Sequence, residues 1–366
     1  MTIGVVGLGS IGQRHIRNLV DLRGTRHPIV AYAPTPGVVY DRRALIGGQL
    51  VDFVKAYGIA RCETESDLFA YRPDVLLVCT PTSHHVEWAH KGLDHGCHLL
   101  IEKPLAHRLT DGLYSLDRWD KTRHLHVGYQ LRYHPQLWAI RQMIRQGRFG
   151  RILSADLVWH EYLPETHPWE DYRTRYAATQ SLGGGVLACY SHEFDYATIL
   201  FGVPDQVIAS PQIGDEVLML ETDVETAVTV SWRYDQAPVC ERVFFDLSFA
   251  HREPVRHLVL HGTRCSVLWD LLTNTVTTSE YSRMTWDDAG KQSRPIEQIE
   301  VSPMDRNQLF VLEIEAFVQH CESNVEPDLE YAALDDGITV CEELEAMHQS
   351  LLTGEAIEME VISGSA

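Results

Sequence analysis

The sequence predicts an α/β protein of two domains, the first built on a parallel sheet and the second on a mainly antiparallel sheet. Up to about residue 125, short apolar runs alternate with helical segments, which is the order of βαβ units. From residue 206 to about residue 301, strand-like runs follow one another across short turns, which indicates antiparallel pairing. Because 366 residues are too many for one ordinary core, we expect domains at 1–125 and 126–366, with the C-terminal helix packing back on the first domain.

The elements of the first domain follow from its apolar runs, which are as short as strands buried on both faces of a parallel sheet. The expected strands are Ile3–Val6, Ile29–Tyr32, Val75–Cys79, Leu99–Ile101 and Leu125–Val127. The expected helices are Gln13–Leu22, Leu45–Tyr57, His85–Gly92 and Thr110–Thr122.

The second domain begins with a predicted helix over Trp138–Gln146 and a long strand over Ile152–Tyr162. An irregular stretch, Leu163 to Leu182, is rich in aromatic, His and Pro residues, and a further helix starts after Gly185. The later strands are expected at Val207–Ile208, Ala227–Trp232, Arg242–Leu247, His257–His261, Ser266–Leu271 and Thr275–Glu280. Two helices close the chain at about Gln308–Cys321 and Ala333–Leu352.

Composition excludes several classes of protein. The formal net charge of −20 disfavours general binding to nucleic acid, because phosphate contacts need clustered Lys and Arg. No apolar run reaches the roughly 20 residues of a membrane span, and the N-terminus is not typical of a signal peptide. The eight cysteines are scattered without a C-x-x-C pair, and none of the 19 histidines forms an H-x-x-x-H pattern within a predicted helix. We therefore expect a cytoplasmic protein without disulfides and without a metal site.

The first motif lies at the N-terminus, where Gly7, Gly9 and Gly12 form a G-x-G-x-x-G pattern between a strand and a helix. In this order Gly7 allows a tight turn, Gly9 lets a pyrophosphate approach the backbone, and Gly12 lets the helix pack close to the strand. The helix N-terminus then offers free N–H groups to the phosphates. The pattern predicts dinucleotide binding; the alternative is a glycine turn in an ordinary α/β domain.

Two further segments follow neighbouring strands of the predicted parallel sheet: Thr80-Pro81-Thr82-Ser83-His84-His85 and Glu102-Lys103-Pro104-Leu105. Ligands of such sheets bind at the carboxyl ends of the strands. Lys103 is therefore a candidate to hydrogen-bond a substrate hydroxyl and stabilise developing negative charge. We expect Pro104 to follow a cis bond that aims the lysine. Taken alone, such a tripeptide is more typical of a solvated surface lysine.

The last motif is the helix expected after Gly185. There Cys189, His192, Asp195 and Tyr196 share one face by their i,i+3 and i,i+4 spacing. A carboxylate three residues after a histidine can orient the ring and keep it basic, which suits a proton acceptor. Taken alone, the segment is more typical of a buried histidine with a structural role.

Together these motifs resemble those of the Gfo/Idh/MocA oxidoreductase family almost from end to end. The resemblance rests on the glycine pattern, Thr80-Pro81-Thr82 with His84-His85, Glu102-Lys103-Pro104, Gly128-Tyr129-Gln130-Leu131-Arg132-Tyr133-His134-Pro135, and the segment from Gly183 to Asp195. It implies an N-terminal Rossmann domain, a C-terminal α/β domain with a large open antiparallel sheet, a nicotinamide cofactor, sugar-like substrates, and dimers or tetramers formed through the open sheet. The cofactor contacts that it implies are Gly7, Gly9, Ser10, Ile11, Gly12, Thr35, Arg42, Thr80, Pro81, Thr82, His84, His85, Glu102, Lys103 and Gln130.

The family's catalytic lysine carries over to Lys103, but its usual D-x-x-x-H pair does not carry over in the same way. The Asp position falls on Cys189 and the His position falls on Glu193, with His192 adjacent. The resemblance therefore implies a branch in which His192 takes the acid–base role, and Asp195 orients it.

The form of the cofactor depends on the end of the second strand, Ala31-Tyr32-Ala33-Pro34-Thr35, where an enzyme specific for NAD usually has an acidic residue. No acid occurs there, and Arg42 and Arg43 follow downstream, where they could meet a 2′-phosphate. The sequence therefore favours NADP. In the alternative, both arginines are solvated and Thr35 or backbone groups bind NAD.

Aromatic rings and polar side chains cluster around the irregular stretch. The rings could stack on a sugar, and the polar groups could bind its hydroxyls. The alternative is a loop that simply packs across the sheet. The candidate substrate residues are Lys103, Arg132, Tyr133, His160, Tyr162, His167, Trp169, Tyr172, Arg173 and His192.

We expect an NAD(P)-dependent dehydrogenase or reductase of a sugar, cyclitol or nucleotide sugar. The alternatives are a redox-neutral lyase or glycosidase with tightly bound nicotinamide, and a non-catalytic nicotinamide-binding sensor.

Overall fold

The computed structural model describes residues 1–23, 27–33, 57–118, 122–168, 170–212, 220–235, 239–281, 296–301, 304–327 and 330–359. The chain forms two compact units. The first consists of Met1–Tyr133 with Asp305–Cys341, and the second of His134–Met304 with Glu342–Ala366. Residues 305–341, which the division after residue 125 assigned to the second domain, thus pack with the first unit.

The strands are numbered in chain order. They are β1 (Ile3–Val6), β2 (Ile29–Tyr32), β3 (Ala60–Cys62), β4 (Val75–Val78), β5 (His98–Ile101), β6 (Leu125–Val127), β7 (Ile152–Tyr162), β8 (Gln206–Pro211), β9 (Ala227–Arg233), β10 (Val243–Ser248), β11 (Ala250–Gly262), β12 (Cys265–Asp270), β13 (Thr275–Glu280), β14 (Ile296–Val301) and β15 (Ile357–Glu358).

The α-helices are interspersed with short 3₁₀ turns, among them Thr82–His84 and Gln130–Tyr133. They are α1 (Ser10–Arg23), α2 (Glu65–Ala70), α3 (His85–Asp94), α4 (Pro135–Arg145), α5 (Leu163–Thr166), α6 (Val186–Cys189), α7 (His192–Phe201), α8 (Arg306–Ser323) and α9 (Leu334–Thr353).

The helix predicted over Thr110–Thr122 is wrong. Leu109–Asp111 and Leu113–Arg118 are separate 3₁₀ turns, because Gly112 between them has a φ of +87°, which ends helical conformation. The helix predicted over Leu45–Tyr57 lies, except for Tyr57, outside the described residues.

The sheet of the first unit is parallel, as predicted, in the order β3-β2-β1-β4-β5-β6. The strand order reverses between β1 and β4, which is the point at which open sheets of this kind bind ligands. The core on one face joins α1 to α8: Ile16 and Leu19 of α1 pack in one buried cluster with Ile314, Phe317 and Val318 of α8.

The sheet of the second unit has the order β14-β13-β12-β11-β7-β10-β9-β8-β15. Its pairs are antiparallel except for β7 with β10, so the prediction of a large, open, mainly antiparallel sheet is confirmed. One face is buried, with Trp232 and Phe245 packed on Phe194 of α7. The other face, which we call the open face, leaves Ile299 and Val301 each 66% exposed. Within the described residues, no helix combines the length and the apolar character needed to span a membrane.

Candidate active site

The glycine turn of the first unit has the geometry that its sequence requires. Gly7 has a φ of +93°, and a Cβ atom there would lie 2.4 Å from the carbonyl oxygen of Cys79 at the end of β4. A Cβ atom on Gly12 would lie 2.1 Å from the carbonyl oxygen of Gly7. A Cβ atom on Gly9 would meet nothing within 4 Å, so the turn faces open space at this position. The first and third glycines therefore allow close packing, and the second leaves room for a ligand.

This space suits the diphosphate of a dinucleotide. Helix α1 begins at Ser10, directly after the turn, so its free N–H groups and partial positive charge lie next to the space beside Gly9. Ser10 is exposed and Ile11 is half-buried, so both lie within reach of a ligand at the turn. Thr35 and Arg42, the residues predicted to choose between NAD and NADP, lie outside the described residues.

His85 links the two segments that follow β4 and β5. Its Nδ1 atom lies 2.8 Å from the carbonyl oxygen of Pro104, and its Nε2 atom lies 2.9 Å from that of Thr80. Carbonyl oxygens only accept, so the neutral ring donates to one of them and the protonated ring to both. Burial lowers the pKa of His85, while the two carbonyl oxygens act in the opposite direction. The ring thus holds the Thr80 and Lys103 segments together.

The turn that carries Lys103 is tied to helix α1 as well. The Nε2 atom of His15 lies 2.7 Å from Oε1 of Glu102, with the His15 side chain fully buried. The Lys103–Pro104 peptide bond is cis, as predicted. A Cβ atom on Gly128 would lie 3.2 Å from Oε2 of Glu102, so glycine at this position lets the Glu102 side chain pack closely. Two buried histidines, His15 and His85, therefore tie the turn that carries Lys103 to helix α1 and to the Thr80 segment.

The helix predicted after Gly185 is interrupted. The backbone leaves the helical region at Tyr190 (φ −101°, ψ 19°), so α6 ends at Cys189 and α7 begins at His192. The predicted shared face therefore holds for His192, Asp195 and Tyr196, which all lie on α7, but not for Cys189. The stack of Tyr190 on Trp159, with ring centroids 3.9 Å apart, lies at this break.

The surroundings of His192 include an ion pair that the sequence did not predict. Glu193 is fully buried and receives two hydrogen bonds from Arg256 of β11, at 2.8 and 3.1 Å. The guanidinium carbon of Arg256 lies 3.5 Å from the ring centroid of Trp159, whose ring is 6.5 Å from that of His192. Glu193, the residue directly after His192, is thus held by a buried salt bridge.

Besides Lys103, the candidate substrate residues of the first unit are Arg132 and Tyr133, and both are engaged in packing. Arg132 donates from Nη1 to the carbonyl oxygen of Tyr331 at 3.0 Å and pairs with Asp336 at 3.1 Å. Tyr133 is buried, and burial raises the pKa of its hydroxyl group. Gln130 is buried in the same 3₁₀ turn. Their roles in binding remain predictions.

The candidates of the second unit lie in different places. His160 and Tyr162 alternate with Trp159 along β7, so they point to the open face, opposite to Trp159. There His160 pairs with Asp246 at 2.8 Å. In the irregular stretch, the Tyr172 hydroxyl oxygen accepts from the backbone of Glu221, and His167 lies 3.4 Å from Glu170. Arg173 is paired with Asp171 and Glu221, whereas Trp169 lies outside the described residues.

Comparison with known families identifies both halves of the chain. Residues 1–129 match the family described as "Oxidoreductase family, NAD-binding Rossmann fold", and residues 137–268 match the "GFO/IDH/MocA C-terminal domain". No group of three or more His, Cys, Asp or Glu side chains among the described residues is arranged to hold a metal ion.

Individual relatives share less than 30% sequence identity with the chain in the three comparisons that follow. The chain is 28% identical over 207 residues to the rhizopine catabolism protein MocA of Rhizobium meliloti, a match covering 55% of this chain and 57% of that protein. It is 25% identical over 307 residues to 1,5-anhydro-D-fructose reductase of Ensifer adhaerens, covering 83% and 85% of the two chains. The structure of levoglucosan dehydrogenase with NADH and levoglucosan is similar at a TM-score of 0.75 and 17% identity, covering 99% and 100%.

Proposed function

Because the chain belongs to the Gfo/Idh/MocA oxidoreductase family, we propose that it is an NAD(P)-dependent dehydrogenase or reductase of a secondary alcohol. The observation that carries the proposal is the contact of His15 with Glu102, which ties helix α1, the helix that begins at the glycine turn, to the turn that carries Lys103. The names of the relatives, which include reductases and dehydrogenases of sugar derivatives, support a sugar, cyclitol or nucleotide sugar as substrate.

The proposed reaction assigns a separate task to each catalytic residue. Nicotinamide, when bound, exchanges a hydride with the carbinol carbon of the substrate. Lys103 hydrogen-bonds the substrate oxygen and stabilises the charge that develops on it. His192 takes the hydroxyl proton during oxidation and returns it during reduction. Asp195, three residues later on α7, orients the His192 ring.

We propose NADP as the preferred cofactor, on the absence of an acid between Ala31 and Thr35 and the presence of Arg42. Replacing Arg42 with Ala should then raise KM for NADP and leave KM for NAD unchanged. An Arg42→Ala enzyme with an unchanged ratio of the two KM values would contradict this preference.

We also propose that copies of the chain associate through the open face and that the protein acts in the cytoplasm. The exposed apolar side chains of Ile299 and Val301 on β14 support association, because such groups are favourable in interfaces. The cysteines, all free thiols, support a reducing compartment. Light scattering should report a dimer or tetramer that Ile299→Lys weakens.

The experiment that tests the activity is absorbance at 340 nm with NAD or NADP against free sugars, inositols, sugar phosphates and nucleotide sugars. Lys103→Ala should lower turnover about a thousandfold while dinucleotide affinity stays the same. Lys91→Ala is the matched control, because Lys91 is a surface lysine paired with Glu65 and Glu87. Equal turnover in the two variants would refute the role of Lys103. A flat trace with cofactor already bound would instead favour the redox-neutral lyase or glycosidase.

A further inference from the structure

A buried carboxyl group lies in the first unit on α8, one turn after Phe310, whose ring is edge-on to that of His15 with ring centroids 6.1 Å apart. His15 in turn contacts Glu102 of the turn that carries Lys103. Glu313 of α8 is 2% exposed, and neither of its oxygens has a hydrogen-bond partner within the described structure. An ionised carboxylate without a partner is very unfavourable in such a place, whereas the protonated acid is tolerated. Glu313 is therefore in a position that favours its neutral form.

The groups that face Glu313 strengthen this conclusion. Burial raises the pKa of Glu313 well above its usual range, and the nearby charge of Glu102 raises it further. Cys79 and Tyr133 also face it, and each has a pKa raised chiefly by burial. Arg132, the nearby cation on the Tyr133 side, is already paired with Asp336.

The two carboxyl groups differ in what they can bind. Glu102 has the Nε2 atom of His15 at 2.7 Å, whereas Glu313 has no such donor among the described residues. When two carboxyl groups share a buried region, the one with a donor keeps the charge and the other keeps the proton. An ionised Glu313 would repel Glu102, which immediately precedes Lys103 in the chain.

We propose that Glu313 is a positioning residue for Lys103: as a neutral acid whose side chain fills buried space near the contact between His15 and Glu102, it leaves that contact undisturbed and so holds the Lys103 turn in place. The positioning role rests on the proposed catalytic role of Lys103. The neutral state of Glu313 does not depend on it and can be tested without substrate.

The first test compares the pH dependence of stability of the wild type and Glu313→Gln. A carboxyl group with a raised pKa in the folded state contributes stability below its unfolded pKa of about 4.3, and this contribution is lost as pH rises towards the folded value. The melting temperature of the wild type should therefore fall relative to Glu313→Gln between about pH 5 and pH 8. Glu315→Gln, on the same helix but half-buried, is the control and should track the wild type. A constant difference between wild type and Glu313→Gln would overturn the neutral state.

The second test reads the position of Lys103 directly. An N-hydroxysuccinimide ester acetylates lysines, and peptide mass spectrometry gives the rate at Lys103 relative to that at Lys91. This measurement needs neither cofactor nor substrate. Glu313→Gln, which fills the same buried space without a charge, should preserve this rate. Glu313→Ala leaves a cavity at this buried position and should change the rate severalfold. In turnover assays, Glu313→Ala should lower kcat by up to about a hundredfold without weakening dinucleotide binding, and Glu313→Gln should restore it.

The outcomes separate the two proposals. Unchanged labelling of Lys103 in Glu313→Ala overturns the positioning role, even if turnover falls. Changed labelling, with rescue by Glu313→Gln, supports positioning even if Lys103→Ala shows that the lysine is not catalytic, in which case the proposed function is what fails.

Discussion

Removing one partner of the Arg256–Glu193 pair should destabilise the second unit strongly. In Arg256→Met, Glu193 keeps its charge but loses both hydrogen bonds, in a site where its side chain is 1% exposed and that of Arg256 is 10% exposed. Breaking a buried pair in this way costs about 3–5 kcal/mol, because the remaining buried charge loses its counter-ion. The lost contact of the guanidinium with Trp159 adds about 0.5–2 kcal/mol.

The assay is urea-induced unfolding, read by tryptophan fluorescence, with the free energy of unfolding extrapolated to water. Arg151→Met is the matched control. Arg151 and Glu241 are also 2.8 Å apart, but their side chains are 72% and 44% exposed, so the loss should not exceed about 1 kcal/mol.

The double variant Arg256→Met/Glu193→Met decides whether the penalty is electrostatic. Removing both charges leaves no buried carboxylate without its counter-ion, so the double variant should recover most of the stability lost by Arg256→Met. A loss below about 1 kcal/mol in Arg256→Met, or a double variant as unstable as the sum of the single ones, would refute the reasoning.

Three further predictions concern single residues. Gly12→Ala should abolish dinucleotide binding in a fluorescence titration, because its Cβ atom would lie 2.1 Å from the Gly7 oxygen; tight binding would contradict the geometry. Trp232→Ala should lower the free energy of unfolding by about 3–5 kcal/mol in urea, because Trp232 is fully buried; a loss typical of a surface site would be inconsistent with this packing. Burial lowers the pKa of His98 to about 4, so the stability of the protein should fall as pH drops from about 6.5 towards 4. His98→Asn should flatten this part of the profile of melting temperature against pH, and an identical profile would contradict the lowered pKa.

The strands that could be predicted from the sequence are those that form a continuous, mainly apolar run. The bounds of β1, β2 and β6 are those expected, because each is a short, mainly apolar run between polar segments. In contrast, β3 (Ala-Arg-Cys) and β14 (Ile-Glu-Gln-Ile-Glu-Val) lack such a run, and both are edge strands placed by pairing with a neighbour. Local hydrophobicity carries no information on pairing of that kind.

The candidate site shows the same limit. The glycine turn and the Lys103 turn could be predicted because each motif is continuous in sequence. The ion pair of Glu193 and Arg256 joins residues 63 apart, and the bond between His15 and Glu102 joins residues 87 apart. Neither partner carries a local signal for the other, so these contacts emerge only once the sheets are assembled.

The discontinuous first unit has a consequence for protein synthesis. Its sheet is complete at Val127, but Ile314, Phe317 and Val318 of α8, which complete the core beside Ile16 and Leu19, come almost 200 residues later. At roughly 5–20 residues per second, a ribosome delivers them roughly 10–40 s after the last strand of that sheet. During this interval the nascent unit has an uncovered apolar groove, which makes it a ligand for chaperones that hold unfolded chains. For the same reason, a fragment that ends at Tyr133 should be prone to aggregation.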